Sequence, residues 1–166
     1  AQTYIKYKIL IIYDDDDKTD LQRLKKYISK NKKYSINIIV NKKNLGPGQS
    51  RNIGILNSNT KYVAFLDSDD TWHKDKLKKQ ISFMKKNDLV ISHTSYVVVD
   101  SQDKKISNRV AKNKIYLKDL IKSCDIGLST VILDVVFLKK NNFYFPKIIK
   151  TKEDYVLWLN IINKIK

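Results

Sequence analysis

Short apolar runs alternate with stretches of helical spacing through the first half of this chain, and that alternation restricts the fold more than any other feature. The runs are Lys8 to Tyr13, Ile36 to Val40 and Tyr62 to Leu66, rich in the β-branched and aromatic residues that suit strands. After the first, Thr19 or Asp20 is placed to cap a helix reaching about Lys30, with Leu21, Leu24, Tyr27 and Ile28 on one face. After the second, Asn44-Leu45-Gly46-Pro47-Gly48 breaks the chain and Gln49 to Asn57 resumes helical spacing. Strands alternating with helices of about ten residues predict βαβ units and a mostly parallel sheet.

Beyond the third run, Lys74 to Lys86 predicts a helix with Leu77, Gln80, Ile81 and Met84 facing the sheet. Leu89 to Ser92 and Ser95 to Asp100 are strand-like, Ser101 to Lys104 is a turn, and Lys105 to Arg109 returns antiparallel. A helix over Leu117 to Ser123, a strand over Ser129 to Leu133, a helix over Val135 to Asn141 and a last helix from Glu153 to the end complete the pattern. The expected fold class is α/β: one domain, with a mostly parallel central sheet flanked by helices and a small antiparallel portion. No repeat or linker divides the 166 residues.

Charge narrows the function. The 33 basic residues outnumber the 17 acidic ones, for a net charge of +16. Such a surplus suits an anionic partner, but only Arg23, Arg51 and Arg109 are arginines. Arginine is the residue that reads phosphate and guanine in bidentate fashion, so its scarcity argues against nucleic acid. Lysine is compatible with peripheral contact at an anionic inner membrane face, at roughly 1 kcal/mol per well-placed side chain. No apolar stretch approaches the ~20 residues of a membrane span, and no signal pattern opens the chain, so a cytoplasmic location is expected. The single Cys124 excludes an internal disulfide and has no histidine partner to activate it.

The chemistry-bearing residues cluster where predicted strands end. Asp67-Ser68-Asp69-Asp70 follows Tyr62 to Leu66, and Asp14-Asp15 follows the first run. Open α/β sheets bind ligands at the carboxyl ends of their strands. Hard divalent ions such as Mg²⁺ and Mn²⁺ take oxygen ligands, often one or two carboxylates completed by a substrate phosphate. Taken alone, the aspartates suit a polar turn and helix cap equally well.

In order, Ile11-Ile12-Tyr13-Asp14-Asp15, Thr19-Asp20, Asn44-Leu45-Gly46, Ser50-Arg51-Asn52, Phe65-Leu66-Asp67-Ser68-Asp69-Asp70-Thr71-Trp72 and Glu153-Asp154-Tyr155-Val156-Leu157-Trp158-Leu159 form a set that resembles the nucleotide-sugar glycosyltransferases of family 2, of GT-A fold. The resemblance covers almost the whole chain. It implies an inverting, metal-dependent transferase that moves a sugar from a nucleotide-diphosphate donor, by family habit a UDP-sugar, to a hydroxyl of a glycan or lipid-linked acceptor of a surface polymer such as lipopolysaccharide or capsule.

By the same resemblance Asp69, with Asp67 and Asp70, holds Mn²⁺ or Mg²⁺; Asp14, Asp15, Arg51 and Asp67 contact the nucleotide; and Asp154 is the catalytic base, with Glu153 as fallback. Without it, Glu153 and Asp154 equally suit the positive end of a helix dipole. Trp72 is expected to pack or to line the donor pocket, Trp158 to pack, His73 to be a solvated loop histidine beside the aspartates, and His93 to be structural. The implied halves are 1-88 for the nucleotide and 89-166 for acceptor and base, with acceptor choice in Val97 to Tyr116 and Lys147 to Lys152.

Two departures and two rivals stand beside this. Family members usually open with a strand and helix ahead of the Gln2-Thr3-Tyr4 position at which this chain starts, so an interior strand is expected to be lacking and apolar edges exposed. The acidic turn Asp14 to Asp20 carries an extra residue and lacks the common glycine. Asp67-Ser68-Asp69-Asp70-Thr71 also fits the opening of dehalogenase-like phosphatases, with Asp67 as nucleophile, although no later acidic segment completes that site. A non-catalytic basic binding module is the other rival.

Overall fold

A computed structural model describes residues 1–149 and 151–165. Lys150, inside the segment expected to choose acceptors, and Lys166, at the end of the expected last helix, lie outside the described residues. β1 (Ile9–Tyr13) and β2 (Ile36–Val40) pair in parallel, Ile9 opposite Ile36 and Tyr13 opposite Val40, across α1 (Thr19–Lys30). α2 (Pro47–Asn57), β3 (Tyr62–Ala64), α3 (Lys76–Lys86) and β4 (Ile91–Ser92) follow. A hairpin, β5 (Tyr96–Val99) with β6 (Lys105–Arg109), then stands apart, and α4 (Leu117–Lys122) leads through one 3₁₀ turn, Leu128–Thr130, to β7 (Ile132–Asp134), α5 (Val135–Lys140) and α6 (Glu153–Lys164).

β7 is inserted between β3 and β4 and runs antiparallel to both. Its neighbouring side chains point to opposite faces, as the pleat requires. Ile132 joins Leu77, Ile81 and Met84 of α3, while Leu133 joins Ile55, Phe65, Leu138, Leu157, Trp158 and Ile161. Helices cover both faces, which gives the expected α/β architecture. Among the described residues the β1–β2 pair and the β3–β7–β4 sheet share no ladder hydrogen bonds.

Several local boundaries differ from expectation. β3 ends at Ala64 because its partner β7 is three residues long, leaving Phe65 buried and Leu66 exposed. The expected strand over Ser129 to Leu133 begins as a 3₁₀ turn, because the Thr130 backbone N–H and hydroxyl both donate to Gly127 O. α2 begins at Pro47, whose fixed φ suits a first helical position. Gly46 precedes it at φ 81°, a conformation glycine adopts without strain. On α1 Tyr27 is exposed rather than inward. Neither Thr19 nor Asp20 caps that helix; the Asp17 carboxylate accepts from Thr19 N at 2.8 Å.

Aromatic packing carries the core toward the strand ends. Trp158 is fully buried against Phe145, with ring centroids 6.3 Å apart, and Phe145 meets Phe65 edge-on at 5.4 Å. Phe145 is fixed by its backbone: Asn52 Nδ2 donates to Phe145 O at 2.9 Å and Phe145 N donates to Asn52 Oδ1 at 2.8 Å. Asn52→Ala leaves both backbone groups buried without partners, and an unfolding free energy lower by about 3 kcal/mol is expected in urea titration.

Candidate functional site

The parallel β1–β2 register determines what meets at one end of this ladder. After the Tyr13–Val40 pair come Asp14 and Asn41, and Asn41 N donates to Tyr13 O at 2.9 Å. Asn41 Nδ2 then donates to Asp14 Oδ1 at 2.6 Å and to Ser50 Oγ at 3.0 Å, while Leu45 N also donates to Asp14 Oδ1 at 2.9 Å. Burial resists ionisation of Asp14, but the donors from Asn41, Leu45, Ser50 and Gly46 together bring its pKa below the ordinary carboxylate value. Asp14 is thereby an anionic clasp between β1, β2 and α2. Asp15 is exposed, and its carboxylate accepts from Asp17 N at 3.0 Å.

Directly after Ser50, Arg51 joins three distant segments. Its guanidinium donates to Asp67 Oδ1 at 3.0 Å and, through its other terminal nitrogen, to Glu153 Oε1. Glu153 is buried, and the guanidinium also sits over the Phe145 ring at 5.6 Å. Gly48 makes this close approach possible, since a Cβ there would stand 3.1 Å from Glu153 Cγ and 3.5 Å from Phe145 Cβ. Arg51, Asp67 and Glu153 are thus in direct contact. The donors foreseen for a nucleotide are already held by carboxylates.

Asp67 is supported from a second side: its N–H donates to Ser129 Oγ at 3.1 Å, and Trp72 Nε1 donates to Ser129 O at 2.7 Å. Lys76 lies over the Trp72 ring at 4.7 Å and donates to Gln80 Oε1 and Thr130 O, and burial lowers its pKa to about 8. Asp70 N closes a turn onto Asp67 O at 3.1 Å, which projects Ser68, Asp69 and Asp70 into solvent. Asp154 follows Glu153 in the first turn of α6 and is partly buried. Burial raises its pKa, helped by the Glu153 charge and opposed by the Tyr155 N–H and by Arg51.

His73 is exposed, Trp158 is core, and among the described residues no three His, Cys, Asp or Glu side chains converge as a ready-made metal cage. Asn41 and Ser129 were missed by the sequence reading. Asn41 carried the same signal as Asp14, a polar residue directly after an apolar run, whereas nothing local distinguishes Ser129.

Comparison with known proteins gives the family and the fold. The model of glycosyl transferase family 2 matches residues 1–143. The chain belongs to that family. An uncharacterized glycosyltransferase of Rickettsia felis is 36% identical over 166 residues, covering 98% of this chain and 26% of its own length. The Escherichia coli protein WfgD, a UDP-Glc:alpha-D-GlcNAc-diphosphoundecaprenol beta-1,3-glucosyltransferase, is 36% identical over 162 residues, covering 98% of this chain and 60% of its own. The chain therefore spans less than two thirds of these relatives. The structure of S. aureus TarS in complex with UDP superposes with a TM-score of 0.74 at 24% identity, over 94% of this chain and 46% of that one, which shows the GT-A fold. Family membership removes the dehalogenase-like reading of Asp67 as a nucleophile.

Arg51→Met leaves Glu153 buried without its cation, and a loss of roughly 3 kcal/mol or more is expected in urea unfolding. Adding Glu153→Gln to that variant restores part of the loss, because the uncompensated charge is removed; equal, additive losses would show that the pair is not coupled.

Proposed function

We propose that this chain carries the donor site and the base of an inverting, metal-dependent transferase that moves a sugar from a UDP-sugar to a hydroxyl of a lipid-linked or surface glycan. The observation that carries the reading is the Arg51 bridge. It ties the strand-end aspartates to the helix turn bearing Asp154, so donor and acceptor groups share one rigid frame. WfgD supports a lipid-linked acceptor by its name, and the UDP complex of TarS supports the donor nucleotide.

The donor set suits a hard cation held in part by its substrate. Asp69, with Asp67 and Asp70, would hold Mn²⁺ or Mg²⁺ through oxygen alone, and the exposed turn leaves room for the diphosphate. Bound there, the ion offsets charge on the leaving diphosphate. Asp14 keeps the β1 and α2 loops in place for the nucleotide, and exposed Asp15 faces its base. Arg51 orients Asp67 and adds positive charge near the phosphates. Asp154 accepts the proton of the acceptor hydroxyl as that oxygen attacks the anomeric carbon from the face opposite the diphosphate. The anomeric C–O bond breaks and its electron pair leaves with UDP.

Asp154 is preferred to Glu153 because the latter is consumed by its ion pair, while burial raises the pKa of Asp154 as suits a base. Lysines on the surface would favour an anionic inner membrane leaflet, where a lipid-linked acceptor resides. Among the described residues no helix is long and apolar enough to cross a membrane.

Calorimetry with UDP is expected to show binding in Mn²⁺, none in EDTA, and a large loss in Asp69→Ala; metal-independent binding that Asp69→Ala leaves intact would sink the metal assignment. With a UDP-sugar selected in this way, Asp154→Asn is expected to reduce turnover by about 10²- to 10⁴-fold.

The acid limb of the kcat/KM profile is a separate check. A base must be ionised, so the raised pKa places that limb above the ordinary aspartate value of about 3.9. Glu153→Gln removes a like charge and moves the limb to lower pH. An unmoved or upward-shifted limb would assign the titration to another group.

A further inference from the structure

The β5–β6 hairpin reverses the usual pattern of a ribbon lying on a protein. Antiparallel ribbons with one solvated face ordinarily alternate apolar inward and polar outward. Here Tyr96, Val98 and Ser107 turn toward the body and are partly buried, while Val97, Val99 and Ile106 turn away. The register shifts by one residue between Val98 and Val99, which leaves Ile106 without a partner on β5. Val97, Val99, Ile106 and Val110, the residue just past β6, are between 46% and 79% exposed. Exposed apolar side chains gathered on one face mark a site of interaction.

The inner side is fixed to the turn that supports Asp67. Ala111 N donates to Ser95 Oγ at 2.9 Å, closing the open end of the hairpin. The Tyr96 ring lies against Gly127, where a Cβ would stand 3.5 Å from it. Gly127 precedes the 3₁₀ turn whose Ser129 hydroxyl accepts from Asp67 N. What docks on the outer side is therefore held in a fixed relation to the strand-end aspartates.

Charge around this face selects the occupant. From Lys104 to Lys122 the chain carries six lysines and Arg109, all exposed, against one acid, Asp119. Asp119 is engaged locally: it accepts from Tyr116 N at 3.0 Å and lies 3.9 Å from Lys112 Nζ. At the tip Asp103 is exposed, whereas Asp100 accepts from Gln102 N and Lys104 N, both at 2.9 Å. Val110 and Lys122 border one crevice, so the end of β6 and α4 lie side by side, and exposed Tyr116 and Ile121 extend the surface.

A second copy of the chain would bring these cations against their like, and a nucleic acid would leave the valines in water. An anionic bilayer answers both features: headgroup phosphates meet the lysines, and the acyl boundary takes the apolar side chains. Tyrosine suits the headgroup level between them.

We propose that the outer face of the β5–β6 hairpin, with the lysines around it, docks the chain on an anionic lipid bilayer. The proposal deepens the transferase reading, in which a lipid-linked acceptor is reached at such a surface, and the choice of occupant rests on that reading.

The full chain is sedimented with vesicles of equimolar phosphatidylglycerol and phosphatidylcholine, and with vesicles of phosphatidylcholine alone. A net charge of +16 by itself attracts the chain to the anionic vesicles, so the decisive comparison is between faces. Lys104→Glu/Lys105→Glu is expected to lower the partition coefficient about tenfold more than Lys25→Glu/Lys26→Glu, a pair of exposed lysines on α1. Ile106→Ser/Val110→Ser, which leaves the charge unchanged, is expected to lower it about tenfold. UDP affinity by calorimetry stays the same in each variant.

Equal losses from both lysine pairs, with none from Ile106→Ser/Val110→Ser, mean attraction by overall charge and overturn the surface. Protein that binds UDP and ignores anionic vesicles overturns it as well. So does dimerisation that the serine variant abolishes without any effect on vesicles, which assigns the face to a second copy. If the serine variant melts early, Val97→Thr/Val99→Thr, which keeps the β-branched shape, takes its place. Folded protein that binds vesicles through this face but binds no UDP supports the surface and overturns the transferase reading alone.

Discussion

A guanidinium fork shared by two carboxylates is the constraint on which the rest of this structure depends. Among the described residues Arg51 is the single cation between Asp67, which follows β3, and Glu153, which opens α6. A charge in such a place loses its hydration, so the fork is stable only where both partners and a packed wall are present together. Phe145 supplies the wall, Asn52 fixes the backbone of Phe145, and Gly48 clears the space for the Glu153 stem. Glu153 is the only glutamate in the chain, every other acidic residue being aspartate.

Adjacent carboxylates at the start of α6 show how one local sequence yields two chemistries. Glu153 turns inward and is neutralised by Arg51, while Asp154 stays partly buried, among the described residues without a cation in direct contact, and its pKa rises. An ion pair confines the first to structure, and burial of the second favours the protonated form. Asp14 is the opposite case, since backbone and side-chain donors hold it ionised and confine it to ordering loops. The surplus of lysine acts over longer range. A positive field raises the encounter rate of a polyanionic ligand without choosing among such ligands, and that choice falls to the few groups fixed at the strand ends.

Legibility in the sequence followed the range of the interactions. β1, β2 and α3 were readable because apolar periodicity is local, and Leu77, Gln80, Ile81 and Met84 are all buried as their spacing implies. Tyr27 shared that periodicity and is nevertheless exposed, because a period gives a face and not the width of what covers it. The end of β3 was set by the length of β7, nearly seventy positions later, and could not be read from Phe65 or Leu66. Asp67 was visible as a candidate from its place after a strand. Its partners Arg51 and Ser129, and Glu153 on the far side of Arg51, come from three other segments, and only a likeness of ordered motifs gathered two of them, Arg51 and Glu153, in advance.

β7 explains why the site cannot be divided at the point where the sequence pattern changes. A strand from the second half lies between β3 and β4, and the turn before it delivers Ser129 to the Asp67 backbone. α6, later still, delivers Glu153 to Arg51. The side chains that hold Asp67 are therefore at least sixteen positions away, and one of the Arg51 contacts spans 102 positions. Long-range pairings bear the entropy of loop closure before they return any stability. The Arg51 fork and the Ser129 contact are consequently complete only when β7 and α6 have docked, so Asp67 and the first turn of α6 reach their places together.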